Sequence, residues 1–229
     1  MSPDHGPAAA SGVFVHVHAA PLVGSDVVTL NGVAVTSAAR TVLDLARTVS
    51  FHQAVSAGDR ALALGLDPSE LRESLSRMRS WPGVRAAHRT CALLDPRSES
   101  VGESFSRVRF VEQGIPAPML QYEVYDENGC LLARCDFGWE QQRTLGEFDG
   151  KIKYDRLLRP GQTAGDVVYA EKIREDALRD RGWQVVRWTW VDLERPEVIR
   201  DRLLRAFDRT AALASSARPT IERGGRRLH

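Results

Sequence analysis

The chain has 229 residues, 43% of them hydrophobic, enough for one sizeable core or for one core plus a small lobe. Its 31 Lys and Arg nearly balance 30 Asp and Glu, so the net charge of +1 excludes a globally basic protein and leaves only a local patch for nucleic acid. No apolar run approaches the roughly 20 residues of a membrane-spanning helix, the start lacks the basic and apolar regions of a secretory signal, and Cys91, Cys130 and Cys135 lack CxxC spacing. The expectation is a soluble cytoplasmic protein with free thiols.

Residues 1–12 are rich in Pro, Ala, Gly and Ser and read as a disordered N-terminus. Residues 13–18 alternate like a strand, with His16 and His18 on one polar face. Asn31-Gly32 between two β-branched runs predicts a hairpin. Thr36 or Ser37 then caps a helix with apolar residues Val42, Leu45, Ala46 and Val49 at helical spacing. Further helices are predicted over 51–64, from Asp67-Pro68 (an N-cap followed by proline at the first helical position), and over 82–94. Residues 13–95 thus read as a small helical lobe with a hairpin, its Arg and Asp residues forming solvated helix faces.

Asp95-Pro96-Arg97-Ser98 breaks the pattern and marks the boundary of a second unit, 96–213. A capped helix from Ser98 to about Gln113 carries Glu103 and Arg107 as an i,i+4 pair. Strands are expected over 121–125, over 131–139 through Asp136, and around Glu147; after a polar loop at 155–165 come a charged helix over 167–181, a buried strand over 183–190 and a last helix over 193–213. The order is helix, three antiparallel strands, helix, strand, helix, an α/β arrangement. Residues 214–229 read as a flexible basic tail.

The third of these strands is the unusual one. In extended chain, Glu147, Asp149, Lys151 and Lys153 line one face, and Asp136 faces them from the neighbouring strand. Burying such charges unpaired costs on the order of several kcal/mol, so their convergence points to a site for a divalent cation and a phosphate. The lysines sharpen this, because Lys151, Lys153 and Lys172 are the only ones in the chain. An otherwise Arg-based sequence that keeps Lys beside an acidic strand suggests a need for a compact ammonium.

Taken in order, Ser100-Val-Gly-Glu103-Ser-Phe-Ser-Arg107, Gly114-Ile-Pro-Ala-Pro-Met-Leu-Gln121, Cys135-Asp136-Phe137, Gly146-Glu147-Phe-Asp149-Gly-Lys151-Ile-Lys153-Tyr154, Glu171-Lys172-Ile-Arg174-Glu175-Asp176 and Arg181-Gly-Trp183-Gln-Val-Val-Arg187-Trp188 form a set. The set resembles the PD-(D/E)XK nuclease superfamily, and more narrowly the very-short-patch-repair-endonuclease-like domain of actinobacterial antitoxin-like (abortive-infection) proteins. That resemblance implies a restriction-endonuclease-like core acting as a metal-dependent DNA endonuclease in repair or defence. Asp136 and Glu147, with Glu103, would hold Mg²⁺ or Mn²⁺ through hard oxygen ligands. Lys151 would orient the attacking water, and Arg107, Lys153, Lys172, Arg174 and Arg187 would contact phosphates.

The superfamily's lysine lies two residues after its acid, which from Glu147 is Asp149. Two frames follow. Either Glu147 is the ligand and Lys151 reaches in from the same face, as closer relatives suggest, or Asp149-Gly-Lys151 is itself the acid-x-Lys unit. The alternative function is a degenerate nuclease-fold protein that binds nucleic acid or a partner without cutting. DNA is the expected partner; a homodimer and a toxin or defence-system protein are further ones. Proteins of this kind begin with a winged helix, which this chain, starting at the hairpin, is expected to lack.

Overall fold

A computed structural model of the chain describes residues 20–150 and 164–216. The predicted disordered start at 1–12, the strand at 13–18, Lys151, Lys153, the loop after Tyr154 up to residue 163 and the basic tail from residue 217 lie outside the described residues, whereas residues 214–216 of the expected tail continue the last helix. Within them the protein is a mixed α/β structure with eight α-helices and two sheets. No helix among the described residues is long and apolar enough to cross a membrane.

The first unit opens on the hairpin β1 (Val27–Leu30) and β2 (Val33–Thr36). Asn31 and Gly32 both take positive φ, 51° and 80°, as a two-residue turn that follows the strand twist requires. Four helices follow: α1 (Ala38–Thr48), α2 (Phe51–Ala63), α3 (Pro68–Arg77) and α4 (Val84–Cys91). Ser37, Ser50 and Asp67 cap the first three by accepting the backbone N–H of Arg40, Gln53 and Ser69. Leu43, Ala54, Leu71, Leu75, Met78 and Ala87 build their common core.

Charge enters this core, contrary to the solvated faces expected. Arg40 is 1% exposed; it donates to Asp26 at 2.9 Å, Asp44 at 2.7 Å and the Pro21 carbonyl at 2.7 Å, tying the chain before the hairpin to α1. Burial raises the Asp26 pKa, but the Val23 N–H and the Arg40 guanidinium outweigh it and hold the carboxyl below its ordinary range.

The second unit comprises α5 (Val101–Glu112), β3 (Met119–Tyr125), β4 (Leu131–Trp139), β5 (Thr144–Phe148), α6 (Ala164–Asp180), β6 (Gln184–Trp188), α7 (Trp190–Leu193) and α8 (Pro196–Ser216). The expected order is present, with the short α7 added because Thr189 caps a turn through Asp192, ending the strand before Trp190. The four strands run β3-β4-β5-β6; the first two pairings are antiparallel and β6 lies parallel to β5. A parallel neighbour needs a crossover, which α6 supplies.

One sheet face packs under α5 and α8 through Phe110, Phe137, Trp139, Trp188, Ile199 and Leu203, a cluster of edge-to-face and stacked rings. The other packs under α6 through Val124, Ala133, Cys135, Leu145, Leu178 and Trp183. The two units meet where α2 packs on α5.

Candidate functional site

Side chains two apart on a regular strand share a face. Leu120 and Phe137 lie in the cluster under α5, whereas Tyr122 and Cys135, two residues away, lie in the cluster under α6. Both strands therefore reverse at the same level, between Gln121 and Asp136. Gln121 carries the irregularity in its backbone, with φ of 51°. The β4–β5 ladder ends at Phe137 paired with Gly146, and beyond it the Asp136 carboxylate accepts the Phe148 N–H at 2.7 Å. A side chain replaces a ladder bond where the strands part.

Glu103 reaches this opening from the first turn of α5. The helix comes close because residue 102 is glycine: a Cβ there would lie 2.0 Å from the Phe148 ring. Glu103 is 6% exposed and accepts from Ser100 Oγ at 2.7 Å, the Glu99 N–H at 2.9 Å and Gln121 Nε2 at 2.9 Å. Among the described residues, these hydrogen-bond partners are all neutral.

Glu147 sits on the other face, under α6, in a different environment. Arg174 donates to its Oε1 at 2.8 Å, Arg187 to its Oε2 at 2.8 Å, and the Cys135 thiol to Oε1 at 3.3 Å. Arg174 is held in turn by Glu171 at 2.7 Å, and Arg187 by Glu175 at 2.9 Å and by Glu171. Burial pushes the Glu147 pKa up, but Arg174 and Arg187 prevail and hold it below the ordinary range. The same contacts raise both arginines, led for Arg174 by Glu171 and for Arg187, against burial, by Glu147. The Cys135 thiol, by contrast, is pushed up to about 12 by burial and then by Glu147 beside it.

The predicted site residues thus separate. The structure brings Glu103 and Asp136 to the opening between β4 and β5, but it seats Glu147 across the sheet among guanidinium groups. Arg107 is no surface partner of Glu103. It is buried against α2, donating to Asp59 at 2.8 Å, to Ser98 Oγ at 3.1 Å and to the Leu93 carbonyl. Ser104 and the Asp95 N–H complete the Asp59 site, each at 2.7 Å. Burial raises the Asp59 pKa, with Arg107 opposing. Arg107, Arg174 and Arg187 are therefore committed to carboxylates rather than open to phosphate. Lys172 is exposed on α6. The Asp149 backbone N–H extends the β5–β6 pairing by donating to the Trp188 carbonyl at 2.8 Å.

Among the described residues no three His, Cys, Asp or Glu side chains form a group that could hold a metal ion. The trio Glu103, Asp136 and Glu147 does not fit Mg²⁺, because both oxygens of Glu147 already face cations. Gln121, Asp59, Glu171 and Glu175 are the partners that sequence reasoning left without a role. Gln121 ended a quoted motif, and Glu171 and Glu175 lie one helical turn apart, but the pairing of Asp59 with Arg107 spans two units and has no local signal.

No protein-family model matches the chain, and no solved structure matches it. Two Mycobacterium tuberculosis proteins are similar: "Uncharacterized protein MT2308" of strain CDC 1551 / Oshkosh and "Uncharacterized protein Rv2248" of strain ATCC 25618 / H37Rv. Each is 28% identical over 200 residues, covering 86% of this chain and 69% of the relative.

Proposed function

We propose that residues 96–213 form a restriction-endonuclease-like domain that binds nucleic acid without hydrolysing it, and that Glu147 is a structural anchor rather than a metal ligand. The observation that carries this reading is the occupation of both Glu147 oxygens by Arg174 and Arg187. A divalent cation would have to displace two guanidinium groups that Glu171 and Glu175 also hold in place. The motif order after Ser98 and its match to the element order support the nuclease-like core.

A second reading rests on Asp136 and Glu103 at the strand opening. There the acid-x-Lys unit is Asp149-Gly-Lys151, and the domain cuts DNA through that frame, with Glu147 still structural. One experiment separates the two: supercoiled, linear and single-stranded DNA are incubated with the protein and Mg²⁺ or Mn²⁺, beside Glu147→Gln and Asp149→Asn, and retention of DNA is followed by gel shift. Retention without cutting is expected. Metal-dependent cutting abolished by Asp149→Asn, but not by Glu147→Gln, would establish the second reading. Cutting abolished by Glu147→Gln in a folded variant would make Glu147 catalytic after all, and absence of retention would remove the binding reading.

A further inference from the structure

The arginines named from sequence as phosphate contacts face carboxylates, so a nucleic-acid backbone needs positive charge elsewhere. Among the described residues β6 is the last strand of its sheet, and no fifth strand covers its outer edge. Beside it runs α8, on which Arg202, Arg205 and Arg209 recur at spacings of three and four and so form one stripe. Strand and stripe flank an open cleft of about 300 Å³ lined by Val185, Val186, Arg187, Arg202, Arg205 and Arg209. Among the described residues no carboxylate lines it.

The three arginines of α8 are held to different degrees. Arg202 donates to the Arg187 carbonyl at 3.1 Å and pairs with Asp192 at 3.1 Å, which anchors it at one end. Arg209 donates to Gln184 Oε1 at 3.0 Å, a neutral partner that leaves its charge uncancelled. Arg205, between them, is exposed and forms no ion pair among the described residues. A guanidinium held by a neutral acceptor, as in Arg209, and an exposed one without an ion pair among the described residues, as in Arg205, match the planar, two-pronged recognition of phosphate oxygens.

We propose that the cleft between β6 and α8 binds a phosphodiester backbone through Arg205 and Arg209, with Arg202 as its fixed wall. This deepens the nucleic-acid reading above and rests on it. It places the contact away from the Glu103–Asp136 opening, on the outer edge of the sheet.

The test compares wild type, the double variant Arg205→Ala/Arg209→Ala and the control Arg200→Ala, whose arginine pairs with neighbouring Asp201. Fluorescence anisotropy of labelled single- and double-stranded oligonucleotides is recorded across a salt series. Thermal melting verifies that each variant folds. The double variant is expected to bind about tenfold more weakly at near-physiological salt, and its plot of log affinity against log salt to be shallower by about 2 on duplex. Arg200→Ala is expected to match wild type. If wild type binds and the double variant binds equally well, the cleft is not the contact, while the binding reading survives. If wild type binds no oligonucleotide, the binding reading fails, and titration with inorganic phosphate, read by NMR of the arginine Nε–H signals, decides the cleft by itself. Shifts at Arg205 and Arg209 would retain it as a phosphate site, and no shifts would overturn it.

Discussion

Glu103 and Glu147 are both largely buried, and both were expected to share one metal. Their surroundings differ in kind. Glu103 is satisfied by a hydroxyl, a backbone amide and a carboxamide, which solvate a carboxylate without cancelling its charge. Glu147 is satisfied by two guanidinium groups, which neutralise it. A carboxylate in the first setting remains able to attract a cation, whereas one in the second has its cations built in. The presence of an acid at a motif position therefore says little about its chemistry until its partners are known.

The largest expected effect tests whether arginine–carboxylate pairs here are structural. Arg107→Ala leaves Asp59, 1% exposed, without its cation, and is expected to cost about 3–5 kcal/mol, since breaking a buried pair strands a charge. Urea denaturation measures it. A loss below about 1 kcal/mol would mean that Ser104 and the Asp95 N–H suffice, and that the seam between α2 and α5 does not depend on the ion pair.

A smaller loss, about 1–3 kcal/mol, is expected for Glu147→Gln, because Arg174 and Arg187 keep Glu171 and Glu175. The pH dependence adds a sign. With its folded-state pKa below the ordinary 4.5, Glu147 contributes stability that is complete above that value and is lost as the pH falls from it through the lowered one. Wild type should lose melting temperature more steeply than Glu147→Gln over that acid window. Parallel curves would show that the arginines do not hold Glu147 as described.

The smallest effect is chemical. Cys130 is exposed, whereas the Cys135 thiol is buried with its pKa raised to about 12, so iodoacetamide at mildly alkaline pH should label Cys130 first and leave Cys135 nearly untouched. In Glu147→Gln the Cys135 thiol loses the neighbouring anion, and its labelling should accelerate, as mass spectrometry would show. Equal labelling of both thiols in wild type would mean that the Glu147 cluster opens readily.

Much of the fold was legible because its signals are local. Asn31-Gly32 dictates the hairpin through positive φ, and Ser37, Ser50, Asp67 and Ser100 announce helices by the N–H groups they cap. The strands from Met119 to Phe148 follow from alternating apolar residues, and Gly182, with φ of 77°, follows the end of α6. The candidate site was legible only as a list of acids. Strict alternation predicted that Asp136 and Glu147 would face one another, but the reversal at Gln121 and Asp136 put them in different settings.

What the sequence by itself determined was the order and type of most elements, and that several charges had to find partners. Which partner each found was decided by tertiary structure. Glu147 meets Arg174 and Arg187, 27 and 40 residues away, because β6 returns parallel to β5 after α6 crosses over. Arg107 meets Asp59, 48 residues earlier, because α5 packs on α2. Caps and turns are settled within a few residues of chain, whereas the sign of the charge beside a carboxylate depends on how distant segments pack.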